Sequence, residues 1–93
     1  MINSIDWQED TLLEEGVQTE ASRTLMLYND EENTFDHVID CLIEVCKHDV
    51  IQAEQITHIV HFNGKCDAKR GNKEKLLPMC SELLRRGLTA EVI

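Results

Sequence analysis

The chain has 93 residues, room for one domain with a modest core and little margin of stability. Nine Lys and Arg against 18 Asp and Glu give a formal charge of -9, which argues against a nucleic-acid partner, because neutralising phosphates needs a cationic face. No run approaches the roughly 18 apolar residues of a membrane span, and the opening MINSIDWQED lacks the basic start and apolar stretch of a secretory signal. A cytoplasmic protein without a membrane partner is expected, with Cys41, Cys46, Cys66 and Cys80 reduced and mostly buried as small hydrophobes.

Residues 1–22 carry acids at Asp6, Glu9, Asp10, Glu14, Glu15 and Glu20 with no lysine or arginine, and their apolar residues follow no period. They are expected to form a flexible acidic tail in which only Trp7 is large enough to anchor on a surface. The domain proper is expected over 23–93. Leu25, Met26, Leu27 and Tyr28 predict a strand, which the polar run Asn29 to Asn33 ends. From Phe35 the apolar positions Phe35, Val38, Ile39, Leu42, Val45 and Cys46 predict a helix with one buried face, ending near Lys47 and His48 and capped by Asn33 or Thr34.

Asp49, with Gln52 three residues on, predicts the cap of a second helix over about 50–62, its buried face carrying Ala53, Ile56, Ile59 and Val60 with His61 beside them. Asn63 and Gly64 stop that helix. The segment 65–71 is weakly strand-like, and Lys65, Lys69, Arg70, Lys73 and Lys75 crowd into and just after it. Asn72 predicts the cap of a third helix reaching Arg86, with Leu76, Leu77, Met79, Cys80, Leu83 and Leu84 inward; Pro78 either kinks it or delays its regular part to about Leu77. Gly87 ends it, and 88–93 alternates as a last strand. The order β-α-α-β-α-β predicts an α+β domain with three helices on one face of a three-stranded sheet.

No catalytic motif stands out. There is no glycine-rich phosphate loop, no G-x-S-x-G and no zinc-ribbon cysteine pair, so an enzyme is not expected, nor any cofactor or metal. His58 and His61 are three apart on a helix and open one metal-binding alternative, with a further ligand from Cys41, Cys46 or Glu54.

The stretch NDEENTFDHVIDCL from Asn29 to Leu42, followed by AEQITHIVHFNGK from Ala53 and LTAEVI from Leu88, resembles the ClpS adaptors, which deliver proteins to the Clp unfoldase and protease according to their N-terminal residue. The resemblance covers roughly residues 24–93. It implies that Asn29, Asp30 and His61 hold the substrate's free α-amino group, and that Tyr28, Phe35, Val38, Thr57, Val60 and Leu88 line or border the pocket for its first side chain. It further implies contact with the N-terminal domain of a Clp AAA+ chaperone, with Lys73 on that surface, and a monomeric adaptor without enzymatic activity. An α-amine with a pKa of about 7.7–8.0 is mostly protonated at pH 7 and seeks a carboxylate and neutral acceptors. The amide of Asn29, the carboxylate of Asp30 and a neutral imidazole at His61 supply them.

The chain departs from the family at Glu31, where a second aspartate is usual, at Asn33-Thr34, where Thr-Pro is usual, and at Phe35 and Thr57, where methionines are usual. The 65–73 segment is also several residues shorter. Phe35 is expected to narrow the pocket and Thr57 to open its gate. The alternative reading is a ClpS-like interaction domain that binds the Clp chaperone but whose N-degron pocket is altered or lost.

Overall fold

The computed structural model describes residues 22–93. The expected acidic tail, with Trp7, lies outside the described residues apart from Ser22. Strand β1 (Arg23–Tyr28) forms the middle of a sheet of order β2-β1-β3, antiparallel to both neighbours. Strand β2 (Lys65–Gly71) pairs along its whole length, and β3 (Thr89–Val92) pairs with the second half of β1. The weak alternation of β2 has a cause in its register, which runs Leu25 opposite Lys69 and Met26 opposite Asp67 and so leaves Ala68 as an extra residue. Ala68 is buried, its carbonyl accepts from His48 Nε2, and Lys69 Nζ reaches the Cys46 carbonyl at 2.8 Å. A bulge thus ties the edge strand to the end of the first helix.

Helix α1 (Phe35–Cys46) starts on Thr34, whose hydroxyl accepts from the His37 amide at 3.1 Å, and ends on Lys47 in the left-handed conformation. Helix α2 (Val50–Asn63) starts on Asp49, which accepts from the Gln52 amide at 2.7 Å, and ends on Gly64 at φ 93°. It runs one residue past Phe62, because Gly64 takes the left-handed position alone. Helix α3 (Lys73–Arg85) is capped by Asn72 and begins at Lys73, without a delay to Leu77. Pro78 lies on its exposed side in the second turn, where the missing amide frees only the carbonyl of Glu74, itself an exposed residue. Among the described residues no helix is long and apolar enough to cross a membrane.

Leu25 and Leu27 project from one face of β1 into a core with Leu42, Leu76 and Leu83 from the helices, all at most 1% exposed. Each such side chain is worth about 1.5–3 kcal/mol on burial. Cys41, Cys46 and Cys80 are buried free thiols and Cys66 is half-buried. Desolvation pushes the Cys46 thiol up to about 11 against the opposing pull of Lys69, which keeps it an unreactive thiol. Four expected inward residues face out: Phe35 is 37% exposed, Ile59 41%, Leu77 46% and Leu84 50%. In α2 the i, i+3, i+4, i+7 set is Ala53, Ile56, Thr57 and Val60, and Thr57 can take the buried place because its hydroxyl donates to the Ala53 carbonyl at 2.8 Å. In α3 the line Leu76, Cys80, Leu83 covers the sheet, and Leu77 and Leu84 lie one step around from it.

Candidate functional site

Beyond the end of β1 the chain crosses the molecule in a turn, and the helix ends close around it. Asn29 donates its amide to the Gly64 carbonyl at 2.8 Å, which pins the turn to the end of α2. The Asp30 carboxylate then closes the turn on itself: Oδ1 accepts from the amides of Glu32 and Asn33, both at 3.0 Å, and the Asn33 side-chain amide lies 2.9 Å from both carboxylate oxygens. The same Asn33 nitrogen donates to the Gly87 carbonyl at 2.9 Å, while His37 Nε2 donates to the Arg86 carbonyl at 2.9 Å. Gly87, at φ 93°, thus presents its carbonyl from a left-handed turn that few other residues adopt readily. Arg86, paired with Glu44 of α1 and Glu82 of its own helix, fixes the end of α3 against α1.

Between these elements lies a cavity of about 180 Å³. Tyr28, Asn29 and Asp30 line it from the strand end and turn; Phe35 and Val38 from α1; Thr57, Val60 and His61 from α2; and Leu88 from the chain entering β3. All nine residues expected at a binding pocket therefore border one cavity. Lys73 does not: it opens α3, an exposed residue beside Gly71, and Gly71 pairs with Arg23 at the opposite end of β1 from the cavity.

The polar groups gather on the turn side. Partial burial pushes the Asp30 carboxyl up, but the bonds from Glu32 and Asn33, together with the nearby His37, outweigh it and hold the carboxyl below its ordinary value. Among the described residues Asp30 Oδ2 has a single donor, so a lone pair remains for a cation. On the α2 side the groups are rings. Phe35 meets His58 at 5.2 Å and His61 at 5.0 Å between centroids, both edge-on, and Phe62 meets His61 edge-on at 5.0 Å and stacks over His58 at 6.3 Å. Each histidine thus contacts both phenyl rings. Among the described residues no three of His, Cys, Asp or Glu come together in a group able to hold a metal ion. Tyr28 commits its hydroxyl to Glu91 Oε1 at 2.7 Å, and Thr57 spends its donor inside its own helix. An acceptor cluster in a hollow lined by polar and apolar surface in nearly equal parts is suited to a ligand with a cationic head and a hydrophobic body.

Sequence reasoning missed Leu27, Glu31, Asn33 and Thr34 as lining residues. The spacing of Asp30 and Asn33 carries a signal for the last pair, since an aspartate accepting from amides two and three residues on is the pattern of an Asx turn. The long-range bond to Gly87 has no local signature.

The match to known proteins is at the family level. The family model described as ATP-dependent Clp protease adaptor protein ClpS matches residues 18–91. No curated protein matches the sequence. Among solved structures, Agrobacterium tumefaciens ClpS2 bound to L-phenylalaninamide superposes with a TM-score of 0.67 at 15% identity, over 77% of this chain and 94% of that one. The fold is shared with that protein, and the match over 18–91 runs from before β1 to within β3: the chain belongs to the ClpS family of Clp protease adaptors.

Proposed function

We propose that the cavity receives the N-terminal residue of a protein bearing a large hydrophobic side chain, and that the domain delivers that protein to a Clp AAA+ unfoldase for degradation. Asn29, Asp30 and His61 hold the free α-ammonium group, and Tyr28, Phe35, Val38, Thr57, Val60 and Leu88 enclose the side chain. The observation that carries this reading is the convergence of acceptors and apolar walls on a single hollow of about 180 Å³. A cavity on the order of 150 Å³ holds benzene, so a leucine or phenylalanine side chain fits. The amino-acid amide bound to the Agrobacterium protein, a free amine beside a phenyl ring, is the same ligand class. Lys73, about 20 Å away along the 13-residue α3, belongs to the surface that meets the chaperone's N-terminal domain, so substrate and chaperone engage opposite ends of the domain.

The magnitudes suit an adaptor that acts by binding. One buried Leu or Phe side chain contributes about 1.5–3 kcal/mol, and two or three charge-assisted hydrogen bonds about 1.5–3 kcal/mol each. After several kcal/mol of lost rigid-body freedom the affinity is on the order of micromolar, weak enough to release the substrate onward. The open cavity favours this reading over one in which the pocket has been lost, even with Phe35 and Thr57 at the usual methionine positions. Titration with peptides beginning in Leu, Phe, Tyr or Trp, against the same peptides acetylated at the N-terminus, tests it. Binding of the free-amine set alone is expected; equal binding of both sets, or of neither, refutes it.

A further inference from the structure

We propose that Asn33 is a positioning residue for the Asp30 carboxylate, clamping it to the end of α3 so that Oδ2 faces the incoming α-ammonium group. The inference rests on the reading of the cavity as an amine site and names a residue which that reading does not include. The Asn33 side-chain amide has two hydrogens and three acceptors within 2.9 Å: Asp30 Oδ1, Asp30 Oδ2 and the Gly87 carbonyl. One hydrogen is shared across the carboxylate fork and the other goes to Gly87, so both are spent. The reverse orientation would set the amide oxygen against a carboxylate and a carbonyl, which fixes which end faces them.

The consequence is geometric. Oδ1 receives Asn33 Nδ2 and the amides of Glu32 and Asn33, which saturate it, while Oδ2 keeps a free lone pair. A carboxylate on a turn would otherwise rotate about its χ2 torsion, a broad, roughly two-fold well. The bond to Gly87 gives the clamp a fixed base, since α3 is packed through Leu76, Cys80 and Leu83 and tied to α1 through Arg86 and Glu44. Asn33 is half-buried and borders the cavity itself. The charged and titratable groups around Asp30 are Glu31 and Glu32 on the turn, His37 on α1 and His61 on α2; α3 offers it only the neutral Gly87 end. Of these donors only Asn33 reaches both oxygens. Its removal is therefore also expected to let the Asp30 carboxyl titrate higher, because it bonds the ionised form.

The test measures peptide affinity by fluorescence anisotropy and Asp30 titration by carboxyl carbon NMR in the full chain. Asn33→Ala is expected to weaken a free-amine Phe peptide about tenfold, to leave the acetylated peptide unchanged and to raise the Asp30 midpoint. Asn33→Ser, which keeps one donor but is too short to span from the carboxylate to Gly87, is expected to fall between Asn33→Ala and wild type; it also serves as the reporter should Asn33→Ala not fold. In the Asp30→Ala background Asn33→Ala is expected to cost nothing more. Unchanged affinity in a folded Asn33 variant, or a loss with the Asp30 midpoint unmoved, overturns the clamp. Asp30→Ala binding as wild type would instead overturn the amine site, so the two failures are distinguishable.

Discussion

The two sides of the cavity are built from different physics. The turn from Asn29 to Thr34 is held by hydrogen bonds: the Asp30 carboxylate accepts from Glu32 and Asn33, and Asn29 and Asn33 donate to the Gly64 and Gly87 carbonyls. The last turns of α2 are placed by a helix backbone and a cycle of ring contacts, in which Phe62 is 76% exposed. Hydrogen bonds have narrow geometry and fix atoms, whereas ring contacts tolerate movement over an ångström or more. On the proposed function, the turn would fix the small charged head together with His61, and the remaining α2 wall would accommodate side chains of different shape.

Breaking the turn should cost most. Asp30→Ala removes the charged acceptor and the hub of the turn, so free-amine peptides should bind about 10- to 100-fold more weakly, the equivalent of about 1.5–3 kcal/mol, by calorimetric titration. Unaltered affinity would leave the turn without a role in binding. The His61 contribution separates from this by pH. An imidazolium has only donors and repels an ammonium group, so protonating the ring should weaken binding, and His61→Ala should lower affinity by about tenfold at pH 7 and remove that dependence on acid. The Asp30 carboxyl, held below its ordinary value, stays charged near neutral pH. Its depressed value adds stability above the unfolded carboxylate's titration near about pH 4, lost as pH falls through the folded value. Acid unfolding that is unchanged by Asn33→Ala would contradict that assignment.

Apart from His61, the α2 side should respond in selectivity rather than in strength. Thr57 is a small buried wall, so the wild type is expected to accept Ile and Val as first residues, and Thr57→Met should reject them several-fold while keeping the preference for a free amine. Identical discrimination by both proteins would remove Thr57 from the account. The smallest effect is expected at the seam. Thr34→Ala removes the cap of α1 and should cost about 1 kcal/mol in denaturant unfolding, with peptide affinity reduced less than by Asp30→Ala.

This division also explains what could be read from the chain. Periodicity located β1, α1 and α2, and the caps Asp49 and Asn72 were legible because each lies three residues from the amide it serves. Periodicity alone misplaced Ile59 and Thr57, since hydropathy favours isoleucine inside and takes no account of a hydroxyl bonded to the carbonyl four residues back. The nine pocket residues came from the motif, and no single stretch contains them: Leu88 joins Tyr28 only because β3 returns alongside β1. The bond from Asn33 to Gly87 spans 54 positions and is visible only when α3 is docked.

The strand register also has a practical side. Thr24 exchanges both backbone hydrogen bonds with Ile93, at 3.0 and 2.9 Å, so the start of β1 and residue 93 are neighbours. The cavity lies at the other end of β1, five residues on, about 17 Å away at the rise of a strand. A fluorophore, a surface linker or a second domain attached after residue 93 would hang from the far edge of the sheet and leave the mouth of the cavity clear.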